Sequence, residues 1–115
     1  MKQTLRVLLA VVVLGVVMPA TTPTQEVGEK LLLDNKVVTI IQYTFPPGFR
    51  GEEHAAIANE FAYVLEGEFT VVTQGRGKRI VKKGEVEYAD KGTVHFSLNE
   101  SKAPAVVVVV VLKEP

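Results

Sequence analysis

Beyond Gln25, no apolar, β-branched run in this chain is longer than nine residues before a turn signal cuts it. The longest, Val37–Phe45 (VVTIIQYTF), stops at Pro46-Pro47-Gly48. Such interruptions leave no room for an amphipathic helix, and short β-branched or aromatic runs between Gly, Pro and Asx signals read as strands. The expected strands are Val27–Leu33, Val37–Phe45, Glu52–Ala56, Glu60–Leu65, Glu68–Thr73, Lys78–Val81, Val86–Ala89, Val94–Leu98 and Ala105–Leu112. Glu66-Gly67 joins two of them as a tight hairpin. The last carries six consecutive valines, Val106–Val111, and reads as a strand buried on both faces. Many short, closely spaced strands define an all-β sandwich or barrel.

The N-terminus is a separate object. Lys2 and Arg6 precede an unbroken apolar run, Val7–Met18, followed by Pro19, Ala20 and a Thr/Pro stretch. A basic start, an apolar middle and small residues after a helix breaker form a secretory signal layout. Cleavage is expected after Ala20 or Thr22. The run falls short of the roughly 20 residues that cross a bilayer, so no stable membrane span is expected in the mature form. The protein is expected to be secreted or periplasmic. Residues 1–24 are assigned to this segment and 25–115 to one domain.

Composition excludes several functions. There is no cysteine among the 115 residues, which removes disulfides, thiolate-bound zinc and a thiol nucleophile. Lys+Arg and Asp+Glu both number 13, so the basic footprint of a nucleic-acid binder is missing. Arg76, Lys78, Arg79, Lys82 and Lys83 form a basic run, read as a cover for exposed hairpin strands that blunts a sheet edge. A body of about 90 residues buries only part of its surface, and a homodimer through a strand edge or apolar face would add to its core.

Polar residues that a β core would not choose concentrate in two stretches. His54 and His95 are the only histidines. Side chains two apart on a strand share a face. His54 thus shares one with Ala56, Glu60 with Ala62 and Val64, and His95 with Ser97 and Asn99. Imidazoles and a carboxylate on neighbouring inward faces suit a divalent first-row metal. The bland alternatives are a hydrogen-bonded core histidine and an ion pair between Glu60 and Arg50 or a rim lysine. Gln42 is either a ligand contact or a satisfied core amide. Phe61, Tyr63 and Phe96 alternate with these polar residues and are expected to point away from the cavity. No catalytic residue is assigned, because Ser97 beside His95 on one strand is not a triad.

The two stretches resemble the paired motifs of the cupin family. His54, Glu60 and Gly67 match the first motif, G-x5-H-x-H-x3-4-E-x6-G, in their spacing from each other. Gly84, Gly92, His95 and Asn99 match the second, G-x5-P-x-G-x2-H-x3-N. The resemblance implies a jelly-roll barrel, the double-stranded β-helix. It also implies a metal site, which here reduces to His54, Glu60 and His95. Asp90 replaces a turn proline, a change that turn chemistry tolerates. Ala56 replaces the second motif-one histidine. The implied cofactor is one divalent transition ion (Fe, Mn, Ni, Cu or Zn), with a small-molecule ligand and dioxygenase-like chemistry. Gln42, Ala56, Ala62, Ser97 and Asn99 are candidates for the ligand pocket. The alternative is a metal-free binding or structural barrel whose metal site is eroded at Ala56.

Overall fold

Nine strands run through the computed structural model, which describes residues 26–115. They are β1 (Gly28–Asp34), β2 (Val38–Phe45), β3 (His54–Ala55), β4 (Glu60–Glu66), β5 (Glu68–Thr73), β6 (Gly77–Lys82), β7 (Val86–Ala89), β8 (Val94–Leu98) and β9 (Ala105–Leu112). The run Val7–Met18 and the expected cleavage sites lie outside the described residues. Among the described residues no helix is long and apolar enough to cross a membrane.

The strands form two sheets, ordered β1-β2-β9-β4-β7 and β3-β8-β5-β6, with antiparallel pairing throughout. Their facing sides enclose a core of Phe45, Val64, Phe69, Val71, Val81, Ala105 and Val107. Phe45 is its centre, stacked on Phe49 with ring centroids 4.7 Å apart and tilted against Phe69 at 5.9 Å. The turns follow the expected chemistry. Asn35 Oδ1 accepts the N–H groups of Val37 and Val38 between β1 and β2. Gly67 turns β4 into β5 with φ +73°, and a Cβ there would meet the Pro104 carbonyl oxygen at 2.4 Å. Only glycine satisfies both demands.

β9 lies between β2 and β4, where its valines alternate between two environments. Val107, Val109 and Val111 face the space between the sheets, whereas Val106, Val108 and Val110 stay half-buried on the outer side. The strand is therefore not buried on both faces; its lack of alternation reflects an outer face that is itself apolar. Tyr63, Val86 and Tyr88 on that side are 43%, 46% and 47% exposed.

The basic run divides. Lys78 and Lys83 do pair with surface carboxylates, Glu100 and Glu66. Arg79 instead bonds Glu87 and the Val86 carbonyl. Alternation along β6 puts Arg79 on the same side as fully buried Val81, so it joins the edges β6 and β7 of the two sheets rather than covering a free surface.

Candidate functional site

A cavity of about 650 Å³ opens between the sheets. Alternation along the strands decides what reaches it. β2 supplies Thr39, Ile41, Tyr43 and Phe45, β9 supplies Val107, Val109 and Val111, and β5 supplies Phe69 and Val71. The polar wall comes from His54, Glu60, Glu87, His95 and Ser97.

β3 is only two residues long, but it fixes His54 directly opposite His95 on β8. The Ala56 N–H donates to Thr93 O, and Ala56 O accepts from the Gly92 N–H, both at 2.8 Å, which holds this short strand in place. The two imidazoles meet edge-on, centroids 4.8 Å apart. His54 Nδ1 lies 2.9 Å from the Glu52 carbonyl. A carbonyl only accepts, so Nδ1 carries the proton and Nε2 presents a lone pair. Glu60 opens β4, and its Oε2 sits 3.6 Å from His95 Nε2.

His95 is 7% exposed, and its Nδ1 is buried without a hydrogen-bond partner. Burial pushes its pKa below 6.5; the neighbouring Glu60 carboxylate opposes that shift, His54 adds to it, and Glu87 opposes it. The neutral imidazole therefore dominates at neutral pH.

The structure brings His54, Glu60 and His95 to one wall, with Ala62 and Ser97 on the lining beside them. It does not bring the other three candidates there. Gln42 alternates with cavity-lining Ile41 and Tyr43, so it projects from the outer face between Lys30 and Val108. Ala56 is 3% exposed but packs behind the lining. Asn99 is 1% exposed and fully employed. Its Nδ2 donates to Phe45 O and Ala103 O, and its Oδ1 accepts from the Ser101 N–H and hydroxyl. β8 ends at Leu98, so the alternation that seemed to place Asn99 beside His95 no longer applies. Phe96 lies opposite His95 as expected, beneath the Arg50 guanidinium at 4.6 Å. Tyr63 points outward, while Phe61 contributes to the cavity wall.

Glu87 is the site residue that sequence reasoning missed. Its side chain is 13% exposed and faces inward from β7 opposite Ala62. The signal was its spacing from Ala89, two residues on, which is 2% exposed.

The donor types suit a divalent ion, but their arrangement does not. Among the described residues no three His, Cys, Asp or Glu side chains are grouped to hold one. Glu60 faces His95 directly, His54 presents its ring edge-on, and a methyl group stands at position 56.

Comparison with protein families matches the cupin domain over residues 41–111. The chain belongs to the cupin family. No curated protein matches it at a significant level. Solved structures share the fold. A protein of Thermus thermophilus is 24% identical at a TM-score of 0.69, covering 83% of this chain and 91% of its own. An RmlC-like cupin of Methanocaldococcus jannaschii, with a double-stranded β-helix fold, is 16% identical at a TM-score of 0.71, covering 86% and 94%. The DMSP lyase DddQ of Ruegeria pomeroyi is 19% identical at a TM-score of 0.64, covering 70% of this chain and 40% of its own. The two facing sheets are thus a cupin double-stranded β-helix.

Proposed function

We propose that this cupin binds a small, largely apolar molecule in the barrel without a metal ion, and that His95, backed by Glu60, meets the ligand's polar end. One observation carries the reading. A cavity of ligand-binding size, about 650 Å³, is apolar over most of its wall and carries the Glu60 carboxylate and the His95 imidazole together at one end. A neutral imidazole beside a carboxylate can also hold or pass a proton.

A second reading is favoured by the wall that His54, Glu60 and His95 share. In it, the three hold a divalent transition ion after His54 turns its Nε2 inward, with dioxygenase-like chemistry. Elemental analysis separates the two. The first reading expects no stoichiometric Fe, Mn, Ni, Cu or Zn in the purified protein, even after reconstitution. It also expects an apolar fluorescent probe to bind and to be expelled by Val109→Phe, which fills the cavity. Stoichiometric metal that disappears in Glu60→Gln would overturn it.

We also infer export, from the basic and apolar layout of residues 1–24, and a homodimer, from the apolar outer side of the larger sheet. Contiguous apolar patches mark interaction surfaces on soluble proteins. N-terminal sequencing of the mature protein and light scattering check these two inferences.

A further inference from the structure

The charged side chains that reach the cavity share one sign. Glu52, Glu60 and Glu87 line it, and among the described residues no lysine or arginine does. Glu87 has a partner outside the cavity, Arg79. Among the described residues, neither Glu52 nor Glu60 has a lysine or arginine within ion-pair distance, and Glu60 faces only His95.

The two imidazoles at this end add acceptors, and the Ser97 hydroxyl can accept or donate. His54 Nε2 presents a lone pair because Nδ1 is bonded to the Glu52 carbonyl. A carboxylate 3.6 Å from His95 Nε2 favours the proton on that nitrogen. His95, more than nine-tenths buried, lines the cavity from β8, and its Nδ1 lies behind the wall as a buried acceptor without a donor.

The far end is aromatic. Tyr43, Phe45, Phe49 and Phe69 line it, and Tyr43 and Phe49 both stack on Phe45. β2 and β9 measure the separation. Thr39 is level with Glu60 through Val111, and Tyr43 lies four residues further along β2. At the rise of a strand that is about 13 Å.

A chamber with acceptors and uncompensated carboxylates at one end and aromatic rings at the other selects its ligand by charge. We propose that the cavity takes an organic cation, a molecule with an ammonium head seated at Glu60 and the two histidines and an aromatic or alkyl body reaching towards Phe45. A carboxylate-headed ligand would set like charges together beside Glu60, and no lysine or arginine among the described residues lines the cavity to offset them. An ammonium supplies donors to the Glu60 carboxylate and a countercharge that this wall lacks, and aromatic faces also attract cations. This inference rests on the metal-free reading. A bound divalent ion would reverse the sign of the polar end and favour anions.

The test is calorimetry on the purified protein in EDTA with three probes of matched shape: 2-phenylethylamine, 2-phenylethanol and 3-phenylpropionate. The amine is expected to bind at least about tenfold more tightly than the carboxylate, with the alcohol between them. In Glu60→Gln, with an unchanged circular dichroism spectrum, the amine should lose most of its advantage over the alcohol. A carboxylate that binds as tightly as the amine overturns the inference and leaves the pocket standing. So does an amine preference that survives in Glu60→Gln. If none of the three binds, the pocket reading itself fails and the inference with it. The parent comparison needs no variant, so it still decides the matter if the Glu60→Gln protein misfolds.

Discussion

Asn99→Ala removes a side chain that never touches the cavity, yet it should be among the most damaging single changes in the barrel. Asn99 joins the end of β2, at the Phe45 carbonyl, to the loop before β9 through four side-chain hydrogen bonds. The Phe45 carbonyl is buried and would lose the Nδ2 donor, at about 1–3 kcal/mol. The bonds to Ala103 O and Ser101 are partly buried; water can replace some of them, and together they contribute about another 1–2 kcal/mol. The expected loss is about 3 kcal/mol in urea unfolding with an unchanged m-value, or roughly 12–24 °C in Tm for a domain of this size. Asn99→Asp serves as the chemical control. It keeps the acceptor but points a carboxylate at two carbonyls, so at pH 7 it should lose more than the alanine variant. Mild acidification, which restores a donor, should narrow the gap. A loss below about 1 kcal/mol for Asn99→Ala would refute the assignment of Asn99 as a loop tie. So would ligand affinity that falls in the folded variant.

Three further outcomes follow from the same geometry. Arg79→Met should destabilise by about 1–2 kcal/mol, because Glu87, 13% exposed, loses its partner, while the half-exposed guanidinium keeps the figure small; converting both residues to Met should recover most of that loss in urea titrations. Burial holds the folded pKa of His95 below 6.5, so the unfolded chain takes up the proton first. Its contribution to stability is complete above about pH 6.5 and is lost as pH falls towards the folded pKa, and His95→Gln should flatten that slope in thermal melts. Asp34, held below 3.8 by its bonds to Lys113 and Thr39, acts only in a lower window, losing its contribution as pH falls through its folded pKa. Glu substituted for both Tyr63 and Val86, cross-strand partners on the outer face, should give a monomer by light scattering with unchanged circular dichroism; a parent already monomeric would refute the dimer.

Strand positions were legible because Gly, Pro and Asx residues bound almost every one. Val86–Ala89, Val94–Leu98 and Ala105–Leu112 have the expected limits. β3 shrank from Glu52–Ala56 to two residues, since only His54 and Ala55 find partners on β8. Faces were legible where a strand mixes polar and apolar residues, as at Glu60 and Ala62 or His95 and Ser97. They were not legible on β2, where VVTIIQYTF offers apolar residues on both sides and Gln42 could face either way. Nor was Glu87, whose partner Arg79 lies on the other sheet and looked like one more surface cation. The metal centre implied by the motif spacing required three side chains to converge in space, a condition that spacing along the chain does not encode.

Six identical side chains cannot tell a strand where to stop sliding. Ordinarily a one-residue slip turns the apolar set of a strand to the wrong side. Within Val106–Val111 it exchanges valine for valine on both faces, so the middle of β9 is indifferent to its own alignment. The alignment is written at the ends. At the start, Ala105 is fully buried beside Phe45, and the missing Cβ of Gly67 leaves a gap only wide enough for the Pro104 carbonyl. At the finish, the Leu112 N–H reaches Asn59 O, while Lys113 reaches Val37 O through its N–H and Asp34 through its ammonium. β9 therefore works like a plain ruler with marks only at its two tips. Valine-to-isoleucine changes along its length should leave the alignment intact, and damage at Gly67, Ala105 or Lys113 would set free a strand rich enough in valine to seek partners outside the barrel.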